Sequence, residues 1–299
     1  MSIRILLTGG TGLVGSALVN SWQGRHELTI LTRSADTARK KLGHDLTVAT
    51  RLAQIDMNRI DAVINLAGEP IADRRWSDRQ KKRICESRWE ITRQLVESIR
   101  RAATPPHTLI SASAIGVYGR QSNQPIDESY QSYHREFSHD VCARWEELAN
   151  QARSPDTRVC ILRIGIVLAA NGGALKKMLP AFRLGLGGPI GSGEQSMSWI
   201  HIEDLVRAID FLLQHPDSSG IFNGTAPMAV SNRQWARLLA ARLNRPALLP
   251  MPAGLVRLIF GEMGDLLLFG QNVYPQRLLD AGFQFKHREL QAALAALPL

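Results

Sequence analysis

Cysteine is scarce in this chain and scattered. Cys85, Cys142 and Cys160 form no CxxC pair and no cysteine–histidine ligand spacing. A disulfide framework is thereby excluded, no metal is expected, and the usage fits a reducing, cytoplasmic compartment. Long apolar runs are missing too, so no segment reaches the roughly 20 residues that span a bilayer. Met1-Ser2 leads straight into an apolar strand pattern, so no signal peptide is expected. The net charge is +9, yet there is no basic run and no basic stretch interleaved with aromatics. Nucleic acid is therefore not the expected partner, and a small molecule, anionic in character, is. Repeats and low-complexity segments are also lacking.

What is present starts at the N-terminus. Ile3-Arg4-Ile5-Leu6-Leu7-Thr8 reads as a buried parallel strand, and Leu13 to Trp22 as a helix packing back on it. Between them lies Gly9-Gly10-Thr11-Gly12-Leu13-Val14-Gly15, with glycines spaced G-x-x-G-x-x-G. Only glycine lets a strand-to-helix turn close tightly while backbone N–H groups and the helix N-terminus approach a diphosphate. A dinucleotide is the expected guest of Gly9, Gly12, Leu13, Val14 and Gly15. The alternative is an ordinary glycine turn.

The second strand, His26 to Leu31, runs into Thr32-Arg33-Ser34. An NAD site carries an acidic side chain here to accept the ribose hydroxyls. An arginine flanked by hydroxyls instead binds a 2′-phosphate. Thr32 and Arg33 therefore point to NADP(H), the alternative being that Arg33 is a solvated loop cation. A weak edge strand is expected at Leu46 to Ala49, and a core strand over Ile60 to Gly68, whose end at Leu66, Ala67 and Gly68 lies where a doubly wound sheet holds its ligand. Trp76 to Arg101 reads as a long helix, Thr108 to Ala112 and Arg158 to Arg163 as strands, and Ile221 to Gly224 as the last strand. Val167, just past the Arg158 strand, is placed to orient the nicotinamide amide through its backbone.

The alternation predicts an α/β fold, a doubly wound parallel (Rossmann) sheet with a smaller C-terminal substrate or cap lobe. Its boundaries are expected at 1–170, completed by about 199–224, for the NADP-binding domain, with 171–198 and 225–299 forming the cap. With 44% hydrophobic residues in 299, the chain has enough apolar material for one large core and a satellite.

Several motifs together resemble one family. The Thr8-Gly9-Gly10-Thr11-Gly12 start, Asn65-Leu66-Ala67-Gly68, Ser111-Ala112-Ser113-Ala114-Ile115-Gly116-Val117-Tyr118-Gly119 and Trp199-Ile200-His201-Ile202-Glu203-Asp204 fall in the order of the extended and atypical short-chain dehydrogenase/reductases, sugar-nucleotide epimerase-like subgroup. Gly261 to Pro275 with Ala281-Gly282-Phe283 resembles the small C-terminal domain that accompanies it. The resemblance places Arg88 where a cofactor-contacting asparagine usually sits, and adds Arg83 to the cofactor set. It assigns bracing roles to His201 and Asp204, and makes Glu128 a cap or brace of its loop. His134 and His139 lie on polar stretches and are expected at the surface.

Two departures bear on function. The family uses a tyrosine with a lysine four residues later, the lysine lowering the phenol's pKa so that it exchanges a proton near neutrality. Here the corresponding helix is expected to present Phe137 and Val141, so the YxxxK pair is missing. Ser113 and Tyr118 remain as candidates to orient and protonate a carbonyl. After Gly191-Ser192-Gly193-Glu194-Gln195, the position of the family's diphosphate-gripping arginine holds Met197, which weakens the case for a nucleotide sugar. Two functions follow: an NADP(H)-dependent oxidoreductase or epimerase-like enzyme on a small polar substrate, or a catalytically weak NADP(H)-binding sensor or scaffold.

Overall fold

A computed structural model describes residues 2–43 and 46–299. The first half alternates strand and helix: β1 (Arg4–Thr8), α1 (Leu13–Trp22), β2 (Glu27–Leu31), α2 (Ala35–Leu42), β3 (Thr47–Ala49), β4 (Ala62–Asn65), α3 (Asp78–Arg101) and β5 (Thr108–Ala114). The short β6 (Pro125–Ile126) precedes α4 (Phe137–Asn150), β7 (Arg158–Ile164), β8 (Ile166–Leu168) and α5 (Gly173–Arg183). The chain continues through β9 (Ser196–Met197), β10 (Trp199–His201), α6 (Ile202–Gln214), β11 (Gly220–Gly224), β12 (Val230–Ser231) and α7 (Asn232–Arg242). It closes with α8 (Ala253–Phe260), α9 (Asp265–Leu268), β13 (Asn272–Val273), α10 (Gln276–Asp280) and α11 (Leu290–Ala295).

Seven of the strands form one parallel sheet in the order β11-β7-β5-β4-β1-β2-β3. β1 is interior because it has nothing to give solvent on either face. Ile5 and Leu7 pack with Leu18, Trp22, Leu205 and Ile209 of α1 and α6, while Leu6 packs with Leu95, Ile99 and Ala149 of α3 and α4. Each such side chain contributes about 1.5–3 kcal/mol on full burial, which is what holds helices on both faces. Trp22 adds a polar tie, its Nε1 donating to Asp210 Oδ1 at 3.1 Å.

β10 departs from the sequence reading. It does not return to the main sheet but pairs with β8. β5 is also longer than expected and carries Ser113 within it rather than beyond its end. A third core gathers Leu175, Phe182, Trp199, Trp235, Leu290 and Leu294 from α5, β10, α7 and α11. Among the described residues no helix is long and apolar enough to cross a membrane.

Candidate functional site

The carboxyl ends of β1, β2 and β4 meet at one edge, because register sets Thr8 beside Leu31 on one side and Asn65 on the other. The glycine turn sits there, and its glycines are required by contact. Gly9 has φ +70°, and a Cβ on it would lie 2.6 Å from the Leu66 carbonyl oxygen. A Cβ on Gly15 would lie 2.3 Å from the Gly9 oxygen, so α1 could not begin against the strand. The Gly12 N–H closes the turn onto Gly9 O at 2.9 Å. Gly12 is extended and caps α1 without a side chain, leaving the first-turn N–H groups for a ligand.

Beneath this edge a buried polar network sets the strand ends. Asn65 accepts from Thr8 Oγ1 at 2.8 Å and donates to Thr92 Oγ1 at 2.8 Å and Ser111 Oγ at 3.2 Å. Trp145 Nε1 also donates to Thr92 Oγ1, and Thr92 in turn to the Arg88 carbonyl. Every member is satisfied, so the network rigidly ties α3 to β4.

That tie places Arg88 over Gly68. A Cβ on Gly68 would lie 2.9 Å from Arg88 Cζ, and the guanidinium rests 5.3 Å from the Trp145 ring centroid. Its hydrogen bonds go to neutral acceptors, Ile84 O at 2.9 Å and Ser87 Oγ at 3.4 Å. Burial pulls its pKa below the ordinary arginine value. Among the described residues it has no ion-pair partner, so a desolvated cation faces the site in want of an anion. Arg33 is exposed beyond β2 and likewise unpaired among the described residues. Thr32 lies next to it, its Oγ1 accepting from Ser34 N at 3.4 Å. Val167 closes the far side: Gly173 approaches its carbonyl, while Gly172 packs on Leu13. The glycine turn, Leu66 to Gly68, Arg88 and the Val167 loop therefore converge. Lys41, which the sequence did not single out, reaches across from α2 to donate to Thr11 O at 2.7 Å. Arg83 does not join them; its guanidinium pairs with Glu69 at 2.9 Å and is spent there.

The two expected catalytic side chains stand elsewhere. Tyr118 has no exposed surface. Its hydroxyl donates to Asn223 Oδ1 at 2.8 Å, with the Asp127 carbonyl at 3.2 Å. Burial pushes the phenol up to about 12, despite Arg163 against its ring at 4.9 Å. So held, the phenol ties the turn after β5 to Asn223 of β11. Ser113 is buried too, and its hydroxyl donates to Glu146 Oε1 at 2.6 Å. Glu146 also takes the Arg163 guanidinium through both oxygens, at 2.9 and 2.8 Å. Burial opposes charge on Arg163, but Glu146 outweighs it and holds the guanidinium above its ordinary pKa.

This Ser113–Glu146–Arg163 cluster also fixes the phase of α4. Residues spaced by four from Glu146 share its face, so Cys142 and Ser138 look toward the end of β5. Ser138 packs on Gly116, just past the end of β5, and Cys142 is buried one turn along the same face. The face of α4 turned to Ser113 therefore carries Ser138 and Cys142, and Phe137 and Val141 lie off it. Phe137 instead packs on Trp76 at 4.8 Å between ring centroids, and Val141 is buried with its carbonyl accepting from Trp89 Nε1. Burial pushes the Cys142 thiol up to about 11, so neither residue is a proton donor poised near neutrality. The signal that would have found this register is Glu146 itself, the acidic residue of the buried pair.

His139 is a further correction. It is buried, with Nδ1 2.5 Å from the Val117 carbonyl, whereas His134 is exposed. Glu128 braces its loop, accepting from Asn223 N at 2.7 Å and Arg277 N at 3.3 Å. Met197 lies in the small β9–β12 ladder, its sulfur accepting from Asn232 Nδ2.

Comparison with known proteins agrees with this architecture. The family model described as "NAD dependent epimerase/dehydratase family" matches residues 5–223, and "Domain of unknown function (DUF1731)" matches 251–297. The mouse epimerase family protein SDR39U1 is 37% identical over 296 residues, covering 98% of each chain. The crystal structure of human epimerase family protein SDR39U1 (isoform2) with NADPH superposes with a TM-score of 0.90 at 36% identity, covering 98% of each chain. A nucleoside-diphosphate sugar epimerase from Corynebacterium glutamicum superposes at TM-score 0.76 and 29% identity over 99% of this chain and 58% of that one. The chain belongs to the NAD-dependent epimerase/dehydratase family, with a DUF1731 segment at its C-terminus.

Proposed function

We propose that the chain binds NADP(H) at the turn Gly9 to Gly15, with Thr32 and Arg33 at the 2′-phosphate and Leu66 to Gly68, Arg88 and the Val167 loop along the rest of the dinucleotide. The observation that carries this reading is Arg88, a half-buried cation with no carboxylate partner among the described residues, set over Gly68 at the strand ends. The human relative's complex with NADPH supports it. When bound, the nicotinamide supplies or accepts a hydride, and the protein's share is to bind, orient and exclude water.

We further propose an oxidoreductase acting on a small polar, anionic substrate enclosed between the cofactor domain (1–170 with 199–224) and a cap (171–198 with 225–299). The unpaired arginines favour an anion. Ser113 positions the Glu146–Arg163 cluster rather than touching substrate, and Tyr118 holds the loop, so the alkoxide left by hydride addition takes its proton from water or from the substrate itself. A second reading, an NADP(H)-binding sensor or scaffold, is favoured by one observation: the face of α4 toward Ser113 carries Ser138 and Cys142, neither an acid–base group near neutrality. Calorimetric titration with NADPH and NADH tests the cofactor, NADPH binding tighter. A metabolite screen on the NADPH-loaded protein, reading bound mass and loss of nicotinamide absorbance, separates the two readings. Bound metabolites with no oxidation of NADPH would select the second.

A further inference from the structure

Two buried histidines lie outside the dinucleotide site. His201 ends β10 and caps α6, its Nδ1 accepting the Glu203 N–H at 3.2 Å. Its Nε2 is buried and has no polar partner. His287 arrives from the C-terminal segment and lies on the His201 ring, with centroids 3.8 Å apart. Its Nε2 is 2.9 Å from Glu203 Oε2, across 84 residues of sequence. The two histidines are only 5% and 7% exposed. One ligand-capable atom from each of His201, Glu203 and His287 falls within 4.8 Å of the other two.

We propose that His201, Glu203 and His287 form a site for a transition-metal ion, zinc(II) by preference, that fastens the C-terminal segment onto the start of α6. Two imidazoles and one carboxylate are a donor set zinc takes with a water in the fourth position. Its bonds of about 2.0–2.2 Å set the ligand atoms roughly 3.4 Å apart, so His287 Nε2 and Glu203 Oε2 open from 2.9 Å as the ion enters between them. The backbone is already held. Asp204, itself fully buried, accepts the N–H groups of Lys286 at 2.9 Å and His287 at 2.7 Å, so His287 is delivered to one place. An entry path exists, since the Glu203 side chain is 41% exposed. Lys286 Nζ holds the other carboxylate oxygen, Oε1, at 2.6 Å and leaves Oε2 for the ion.

Proton placement is explicit. With His201 Nδ1 accepting a hydrogen bond, the neutral ring carries its proton on Nε2, and that N–H is the donor left without a partner. On binding the ion through Nε2, each neutral ring shifts its proton from Nε2 to Nδ1, and the long Glu203 N–H bond to His201 is given up. The ion thus replaces an unsatisfied buried donor with a ligand bond.

The test uses the full chain, stripped with chelator and dialysed against zinc chloride or cobalt(II) chloride near pH 7.5. The expected result is one metal ion retained per chain at micromolar free metal, a melting temperature raised by zinc, and visible cobalt bands of tetrahedral intensity. His287→Phe is expected to abolish all three, and Glu203→Gln to weaken retention at least tenfold. Wild type retaining no more metal than His287→Phe would overturn the proposal, as would cobalt bands unchanged by that substitution. Should His287→Phe fold poorly, His287→Gln replaces it, and the cobalt spectrum of the wild type alone decides: no tetrahedral bands, no site.

Discussion

Arg88→Met separates binding from stability in opposite ways. The substitution keeps the unbranched stem that packs between Gly68 and Trp145 and removes only the guanidinium. Without ligand, the protein loses a cation–π contact of about 0.5–2 kcal/mol and two hydrogen bonds to neutral acceptors at 2.9 and 3.4 Å. It is relieved of a desolvated charge whose lowered pKa reports that burial disfavours it. These oppose each other, so stability is expected to stay within about 1 kcal/mol, roughly 2–4 °C in Tm for a chain of this size. With NADPH the balance is one-sided. A hydrogen bond to a charged group is worth about 1.5–3 kcal/mol, and each 1.36 kcal/mol is tenfold, so affinity should fall roughly 10- to 150-fold. Calorimetric titration gives the affinity, and thermal unfolding of the ligand-free protein gives the stability. An NADPH affinity within threefold of wild type would refute the assignment. So would a loss of more than about 2 kcal/mol of stability, because Arg88 would then be a structural cation.

Four further outcomes are expected. Arg33→Ala should weaken NADPH by the same roughly 1.5–3 kcal/mol and leave NADH nearly unchanged, read as the ratio of the two dissociation constants. Tyr118→Phe should leave turnover of any substrate found by the screen within about threefold while lowering stability by about 1–3 kcal/mol, because it strands Asn223 Oδ1 in the core; a hundredfold loss of turnover with unchanged stability would restore Tyr118 to the chemistry. Glu146→Ala should cost about 3–5 kcal/mol in denaturant unfolding by leaving Arg163 buried and uncompensated, and Glu146→Ala with Arg163→Met should recover part of it. Gly15→Ala, whose Cβ would meet Gly9 O at 2.3 Å, should abolish NADPH binding and lower Tm, measured on the same samples.

Local pattern by itself determined the sheet and the dinucleotide turn. Consecutive apolar residues in β1 specify burial on both faces, and only glycines at 9 and 15 clear the backbone they meet. Both facts are written within a dozen neighbouring residues, where side-chain period and Cβ clearance act. The place of Arg33, exposed just past the end of β2, was legible for the same reason. Tertiary structure decided the rest. Tyr118 looked available because its neighbours place it past a strand end, but its hydroxyl is claimed by Asn223, 105 residues away. The face of α4 that meets Ser113 depends on Glu146 finding Arg163 from β7 across the core, and a helix pattern alone left its phase open by one residue. Arg83 was read with Arg88, yet only the folded loop brings Glu69 to it. His201 and His287 carry no motif spacing, and it is the docking of the C-terminal segment on Asp204 that stacks them. Propensity and periodicity are properties of neighbours in sequence; desolvation, ion pairing and ligand geometry belong to groups that meet only when the sheet, the helices and the C-terminal segment have packed.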